Sequence, residues 1–316
     1  MYESFYGLRE RPFDLALNPK SLLLTPQHRE ALGNLEYGIR ERVGVIVLIG
    51  EAGTGKTTLL RTAFARAEAE RPGSTVAWAS LRNPTIQRDE FLEFLSTRFG
   101  LAADVAGSKM RVVDELERIL LGGLRAALII DEAQSVPLEL LEEIRLLGNI
   151  ESDSQKLLPI VLAGQPELAE RLNHPSLRQL KQRVALRCSL TALTLQETAA
   201  YISARVLNAG GQPASLFSRE AVVMIHERSR GIPRTINVLC ENALMTGYAE
   251  EQRPVGRNTV ETVCRDFDFE RVTAGEGSDP NTPPAQRVPS GRRADAEGPV
   301  LLEPKRWGWG VRRRSS

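Results

Sequence analysis

Gly50-Glu51-Ala52-Gly53-Thr54-Gly55-Lys56-Thr57 stands between the apolar run Val43 to Ile49 and the helical pattern Thr57 to Glu70. Glycines, a lysine and a hydroxyl in this order, between a strand and a helix, predict a phosphate-binding P-loop. Glycine lets successive backbone N–H groups close around phosphate oxygens, because a Cβ would block both positive φ angles and close approach. The helix that follows adds unpaired N–H groups and the positive end of its dipole. Lys56 is expected to reach the β- and γ-phosphates as a point charge. The Thr57 hydroxyl is expected to coordinate Mg²⁺, which keeps most of its waters, and Thr58 is a spare hydroxyl. A nucleoside triphosphate is the ligand such a loop is built to hold.

Hydrolysis needs a second cluster, and Ala126-Ala127-Leu128-Ile129-Ile130-Asp131-Glu132 has its form. An all-apolar run suits a parallel strand covered on both faces, here ending in two carboxylates. Successive side chains on a strand point opposite ways, so the two acids can take different roles. Asp131 is expected to hold magnesium through its water shell. Glu132 is expected to orient and deprotonate the attacking water, since phosphoryl transfer depends on positioning and electrostatics more than on covalent chemistry. A solvated acidic pair at a strand end is the plainer alternative.

The 316 residues suffice for two domains, and a hydrophobic content of 42% can supply a sizeable core. With 41 basic and 40 acidic side chains, no whole-protein field attracts nucleic acid or an anionic membrane, so any such site must be a local patch. Cys188, Cys240 and Cys264 have no metal-ligand spacing and read as reduced thiols. His28, His174 and His226 lie far apart and do not suggest a metal site. No apolar run approaches a membrane span, and charges occupy Met1 to Arg11 where a signal peptide is apolar. A soluble, cytoplasmic protein is expected.

Five short apolar runs punctuate the first part of the chain: Val43 to Ile49, Thr75 to Ala79, Ala126 to Ile130, Pro159 to Ala163 and Val184 to Leu190. Helical repeats separate them at Asp89 to Phe99, Met110 to Leu121 and Leu138 to Leu147. The alternation predicts an α/β fold, a five-stranded parallel sheet sandwiched by helices. The run Thr75 to Ala79 lies between the P-loop and the acidic strand, so those two strands are not sequence neighbours. From Thr194 onward strand signals vanish and amphipathic helices follow at Leu195 to Leu207, Ser218 to Arg228, Pro233 to Tyr248 and Asn258 to Phe269. The expected organisation is an N-terminal segment and helix (1–42), a P-loop core (43–193), a helical lid (194–272) and a tail (273–316). Gly, Ser and Pro crowd the tail, which is expected to be disordered. Its end, Pro304 to Arg314, mixes basic side chains with Trp307 and Trp309, a composition that suits nucleic acid or anionic lipid if it is not simply solvated.

Three further side chains are candidates to report on the nucleotide. Gln165 ends the run Ile160-Val161-Leu162-Ala163-Gly164-Gln165, and its amide can donate to phosphate and accept from water; a helix-capping role before Pro166 is the alternative. Arg183, or failing it Arg178, leads into the fifth strand at the edge of the sheet. An arginine there can face the nucleotide of a neighbouring subunit, and a surface salt bridge is the alternative. Arg234, in Gly231-Ile232-Pro233-Arg234, opens a lid helix and is expected to point at the γ-phosphate, so that lid closure depends on the nucleotide bound.

With these residues in place the chain resembles the AAA+ ATPases, and among them it is most similar to the family of the general secretion pathway protein A, related to transposition-helper and origin-recognition ATPases. The resemblance covers about Met1 to Phe269. Its most specific part is Phe5-Tyr6-Gly7-Leu8, Arg11-Pro12-Phe13, His28-Arg29-Glu30-Ala31-Leu32 and Tyr37-Gly38-Ile39, running into the P-loop strand. It implies an N-terminal segment near the adenine of ATP, the sensor glutamine in Gly164-Gln165-Pro166-Glu167-Leu168, and the lid arginine in Gly231-Ile232-Pro233-Arg234. The family's usual Pro-Asp-Pro followed by aromatics is here Leu17-Asn18-Pro19-Lys20-Ser21-Leu22-Leu23. Secretion-type members continue through a membrane span into a peptidoglycan-binding domain, and neither is found here; that argues against envelope remodelling by this polypeptide alone.

The expected function is thus an ATP-hydrolysing, ATP-dependent homo-oligomer that regulates assembly of a secretion, pilus or polysaccharide-export system. A DNA-binding assembly protein of the transposition-helper type is the alternative, against which the balanced charge weighs.

Overall fold

The computed structural model describes residues 1–14, 24–69, 76–82, 85–102, 104–153 and 155–267. The expected tail 273–316, with its basic Trp-containing end, and the stretch Leu17 to Leu23 lie outside these residues. The elements in chain order are α1 (Tyr2–Tyr6), α2 (Pro26–Arg40), β1 (Val45–Gly50), α3 (Lys56–Ala69), β2 (Val76–Leu81), α4 (Arg88–Phe99), α5 (Lys109–Leu121) and β3 (Arg125–Ile130). They continue with α6 (Leu138–Leu147), β4 (Ile160–Gly164), α7 (Pro166–Leu172), α8 (Arg178–Gln182) and β5 (Val184–Leu190). The helices α9 (Leu195–Asn208), α10 (Pro213–Leu216), α11 (Arg219–Ser229), α12 (Pro233–Ala249) and α13 (Arg257–Asp266) follow.

The five strands form one sheet in the order β2-β3-β4-β1-β5, and every neighbouring pair is parallel. Alternation along β1 divides the core. Val45, Val47 and Ile49 face the layer of α4 to α8, while Ile46 and Leu48 face α2 and α3. Both faces are covered, which is why β1, β3 and β4 read as unbroken apolar runs rather than alternating ones. Each such buried aliphatic side chain contributes roughly 1.5–3 kcal/mol of transfer free energy. β5 closes one edge and alternates, with Ala185, Arg187 and Ser189 exposed, because only its inner face packs against α2.

The helices after β5 make a separate apolar cluster around Ile202, Val206, Met224, Ile225, Leu239, Leu244 and Val260. Their caps follow from sequence: the Thr194 hydroxyl accepts from the Glu197 N–H and Ser218 from Ala221. This cluster also takes in Tyr2, Tyr6, Leu8 and Phe13 from the N-terminus. Residues grouped by sequence into one leading segment therefore have two destinations. Met1 to Asp14 joins the lid helices, and α2 lies on the sheet. The Tyr2 hydroxyl donates to the Glu241 carboxylate at 2.8 Å, and Tyr6 donates to the Gln252 carbonyl at 3.2 Å. Burial pushes the Tyr6 phenol up to about 12 and raises the Glu241 carboxyl.

A candidate nucleotide-binding site

Parallel strands bring their C-terminal ends to one edge of the sheet, and the register sets three of those ends level. Ile49 pairs with Gly164, and Ile130 pairs with Leu162. The loop after β1, the acids after β3 and Gln165 after β4 therefore meet at one place. β4 lies between β1 and β3, so Gln165 stands between the loop and the acids.

The loop from Gly50 to Gly55 carries two left-handed residues, Gly53 at φ +82° and Gly55 at φ +100°. A side chain at either would strain the backbone, which gives the glycine pattern its physical cause. Lys56 begins α3 and is buried, with its Nζ donating to the carbonyls of Gly50 at 2.7 Å and Glu51 at 3.1 Å. Burial pulls its ammonium below the ordinary lysine range, opposed by the charges of Glu132 and Asp131. The Thr57 hydroxyl donates to Asp131 Oδ2 at 2.9 Å, across 74 residues of sequence. Thr54 turns its hydroxyl back to the Glu51 carbonyl at 2.8 Å, while Glu51 and Ala52 are exposed on the rim and Thr58 is half-buried.

Glu132 lies in the left-handed region at φ +53°, which favours glycine and is uncommon for glutamate. Its Oε2 accepts from the Gln134 amide at 2.7 Å and from the Gln165 amide at 3.2 Å. The Gln134 bond, then the Gln165 bond and the Lys56 charge, hold this carboxyl below the usual range although burial works the other way. Gln134 closes the circuit, because its Oε1 accepts the Gln165 backbone N–H at 3.0 Å. Arg171, from α7, donates to the carbonyls of Gln134 and Val136 and braces the turn from below. Gln165 also precedes Pro166 at the start of α7, so the capping position and the contact with Glu132 coexist.

The remaining candidates fall differently. Arg234 presents its backbone N–H to the Gly53 carbonyl at 3.2 Å, and a Cβ on Gly53 would come within 2.8 Å of Arg234 Cβ. The lid helix α12 thus starts directly on the P-loop, with the Arg234 side chain exposed. Arg183 is not in this cluster. It precedes Val184, which pairs with Val45 at the opposite end of β1, and donates to the Arg145 carbonyl at 3.4 Å at the end of α6. A cation there suits the negative helix terminus. Arg178 is the first residue of α8 and exposed.

Two residues escaped the sequence reading. Gln134 follows the acidic pair by two positions and looks like any polar turn residue. His28 is buried and spans from α2 to the loop, with Nε2 3.0 Å from the Thr54 carbonyl and Nδ1 2.7 Å from Thr25 Oγ1. The signal for His28 was its place in the run His28-Arg29-Glu30-Ala31-Leu32, which carried the resemblance without saying what the ring touches.

Residues 39–172 match the family model described as AAA domain. The chain is 36% identical over 313 residues to "General secretion pathway protein A" of Aeromonas hydrophila, covering 98% of this chain and 54% of that protein. It carries an AAA domain and is a relative of general secretion pathway protein A. The chain spans about half the length of that curated relative. Among solved structures, the AAA+ fold is shared with the Aeropyrum pernix ORC2 protein, described in ADPNP-ADP complexes, at TM-score 0.61 and 18% identity over 84% of this chain and 73% of that one. The A. pernix ORC1 protein in complex with DNA gives TM-score 0.61 and 18% identity, covering 82% and 70%. At such identities the likeness concerns the fold alone. Among the described residues of this AAA+ protein, no helix is long and apolar enough to cross a membrane.

Proposed function

We propose that this AAA+ protein hydrolyses ATP and uses the cycle as a switch in assembling a secretion, pilus or polysaccharide-export system in the cytoplasm. The supporting observation is the Glu132 carboxylate, kept ionised and aimed by two glutamine amides beside the loop that carries Lys56. Glycines with positive φ, a buried ammonium and a helix N-terminus suit a triphosphate. Gly50, Glu51, Ala52, Gly53, Thr54, Gly55, Lys56, Thr57 and Thr58 would line it. A hydroxyl and a carboxylate already 2.9 Å apart, Thr57 and Asp131, suit Mg²⁺, the latter residue through water. When bound, that ion supplies charge neutralisation between the terminal phosphates.

Lys56 would exchange the Gly50 and Glu51 carbonyls for phosphate oxygens. Glu132 would take the proton of the attacking water, with Gln165 beside it to fix that water's position. Arg234 would reach the γ-phosphate from the lid. Arg183, or Arg178, would act on a neighbouring copy, which makes turnover depend on a homo-oligomer. The resemblance of this chain to general secretion pathway protein A supports the choice of partner class.

The test is turnover and ATP affinity of purified Glu132→Gln. Severe loss of turnover with binding retained is expected, and unchanged turnover removes Glu132 from the mechanism. The same preparation, titrated with duplex DNA at two salt concentrations with and without ATP, decides the partner class. ATP-dependent, steeply salt-sensitive retention would replace the secretion reading with a DNA-assembly role.

A further inference from the structure

We propose that His28 is a positioning residue of the phosphate cradle, holding the Thr54–Gly55 peptide so that the Gly55 N–H faces the phosphates; this role rests on the nucleotide binding proposed above. The Thr54 carbonyl can only accept, so the His28 Nε2 3.0 Å away carries the proton. Nδ1 is then the acceptor, and the Thr25 hydroxyl donates to it at 2.7 Å. The same hydroxyl oxygen accepts the His28 backbone N–H at 3.3 Å. Both ring nitrogens are committed and the ring has one orientation.

A trans peptide places its N–H and C=O on opposite sides. Holding the Thr54 carbonyl toward α2 therefore turns the Gly55 N–H the other way, into the concave side of the loop. This peptide turns on ψ of Thr54 and φ of Gly55, and Gly55, at φ +100°, has no Cβ to confine that rotation, so an external hold matters. A Cβ on Gly55 would stand 3.6 Å from His28 Nε2, so the ring also lies along the loop's outer face. The hold has a firm base. Ala31, Leu32, Leu35 and Ile39 of α2 are buried against Ile46 and Leu48 of the sheet. The preceding carbonyl, Gly53, is held by the Arg234 N–H of the lid. Adjacent loop carbonyls are thus fixed by two different parts of the protein, and a cradle fixed beforehand binds more tightly than one that must be ordered by its ligand.

The experiment titrates the full chain with a fluorescent ATP analogue and follows steady-state turnover, using wild type, Lys56→Ala, His28→Ala, His28→Gln and Thr25→Val. One lost hydrogen bond predicts affinity about tenfold weaker in His28→Ala, with the loss falling on KM more than kcat. His28→Gln, whose amide N–H can reach the same carbonyl, should recover most of it. Thr25→Val, which frees the ring to rotate, should fall between. Affinity unchanged in both His28→Ala and Thr25→Val overturns the proposal. So does a His28→Gln as weak as His28→Ala, because the ring would then act by packing alone. If His28→Ala does not fold, His28→Asn, too short to reach the carbonyl, takes its place: affinity weakened in His28→Asn and recovered in His28→Gln supports the proposal, and wild-type affinity in His28→Asn overturns it. Failure of wild type to bind, or Lys56→Ala binding as well as wild type, sinks the nucleotide reading itself and this inference with it.

Discussion

The Gln134 amide donates to the Glu132 carboxylate across 2.7 Å, while its own oxygen accepts the Gln165 backbone N–H at 3.0 Å. One side chain thereby ties the acid that ends β3 to the residue that ends β4. An isolated acid at a strand end has many rotamers, and this one is held by partners that follow two different strands. Such preorganisation is what electrostatic catalysis requires.

Gln134→Leu should retain ATP affinity and lose turnover by about tenfold or more, as removal of a fixed polar partner does elsewhere. The pH profile gives the sign. Glu132 is held below the usual carboxylate range chiefly by Gln134, so its charge supports the native state above the unfolded value and that support is lost as pH falls through the folded one. Without Gln134 the folded value rises, and the acid limb of kcat/KM should move to higher pH. A limb that stays in place would mean that Gln165 and Lys56 suffice.

Lys56→Met separates stability from binding. Burial depresses the Lys56 ammonium, so keeping it charged at neutral pH works against the folded state, and an apolar side chain of similar length removes that burden. Thermal melts of the apo variant should lie at or above those of wild type. Adding ATP at a hundred times its Kd should stabilise wild type by about 2.7 kcal/mol, several degrees in Tm, and leave the variant unmoved. A variant that melts well below wild type would show that its two carbonyl contacts outweigh the burial.

Phe13→Ala tests the company kept by the N-terminus. Phe13 is fully buried and meets Phe217 edge-on at 5.9 Å between ring centres. Truncation should cost about 3–5 kcal/mol, felt by the lid helices. Hydrogen exchange should report faster opening in α9 to α13 and little change in β1, β3 and β4. Uniform loss of protection across the sheet would mean that the two clusters unfold as one.

Much of this was legible because the buried strands are short apolar runs ended by glycine or acid, a pattern that also places the P-loop and the pair Asp131-Glu132. Helix limits agreed to within a residue or two wherever a cap marked them, as Ser218 does for α11. The short helices α7 and α8 were missed, being too brief to show a period. Gln134 was invisible for a different reason, since its meaning depends on β4 lying beside β3, which pairing decides and spacing does not. His28 likewise acts across 26 residues, and the aromatics of α1 find their partners more than two hundred residues away. Local pattern carries no trace of such meetings.

That last separation bears on how the molecule is made. Tyr2 and Glu241 are 239 positions apart, so the aromatic side chains of α1 meet their lid partner only once α12 has left the ribosome. At typical elongation rates that leaves them sticky and unattended for roughly ten seconds or more while the sheet assembles. A chaperone that tends nascent chains would find long duty at α1, and the lid would close only after the sheet.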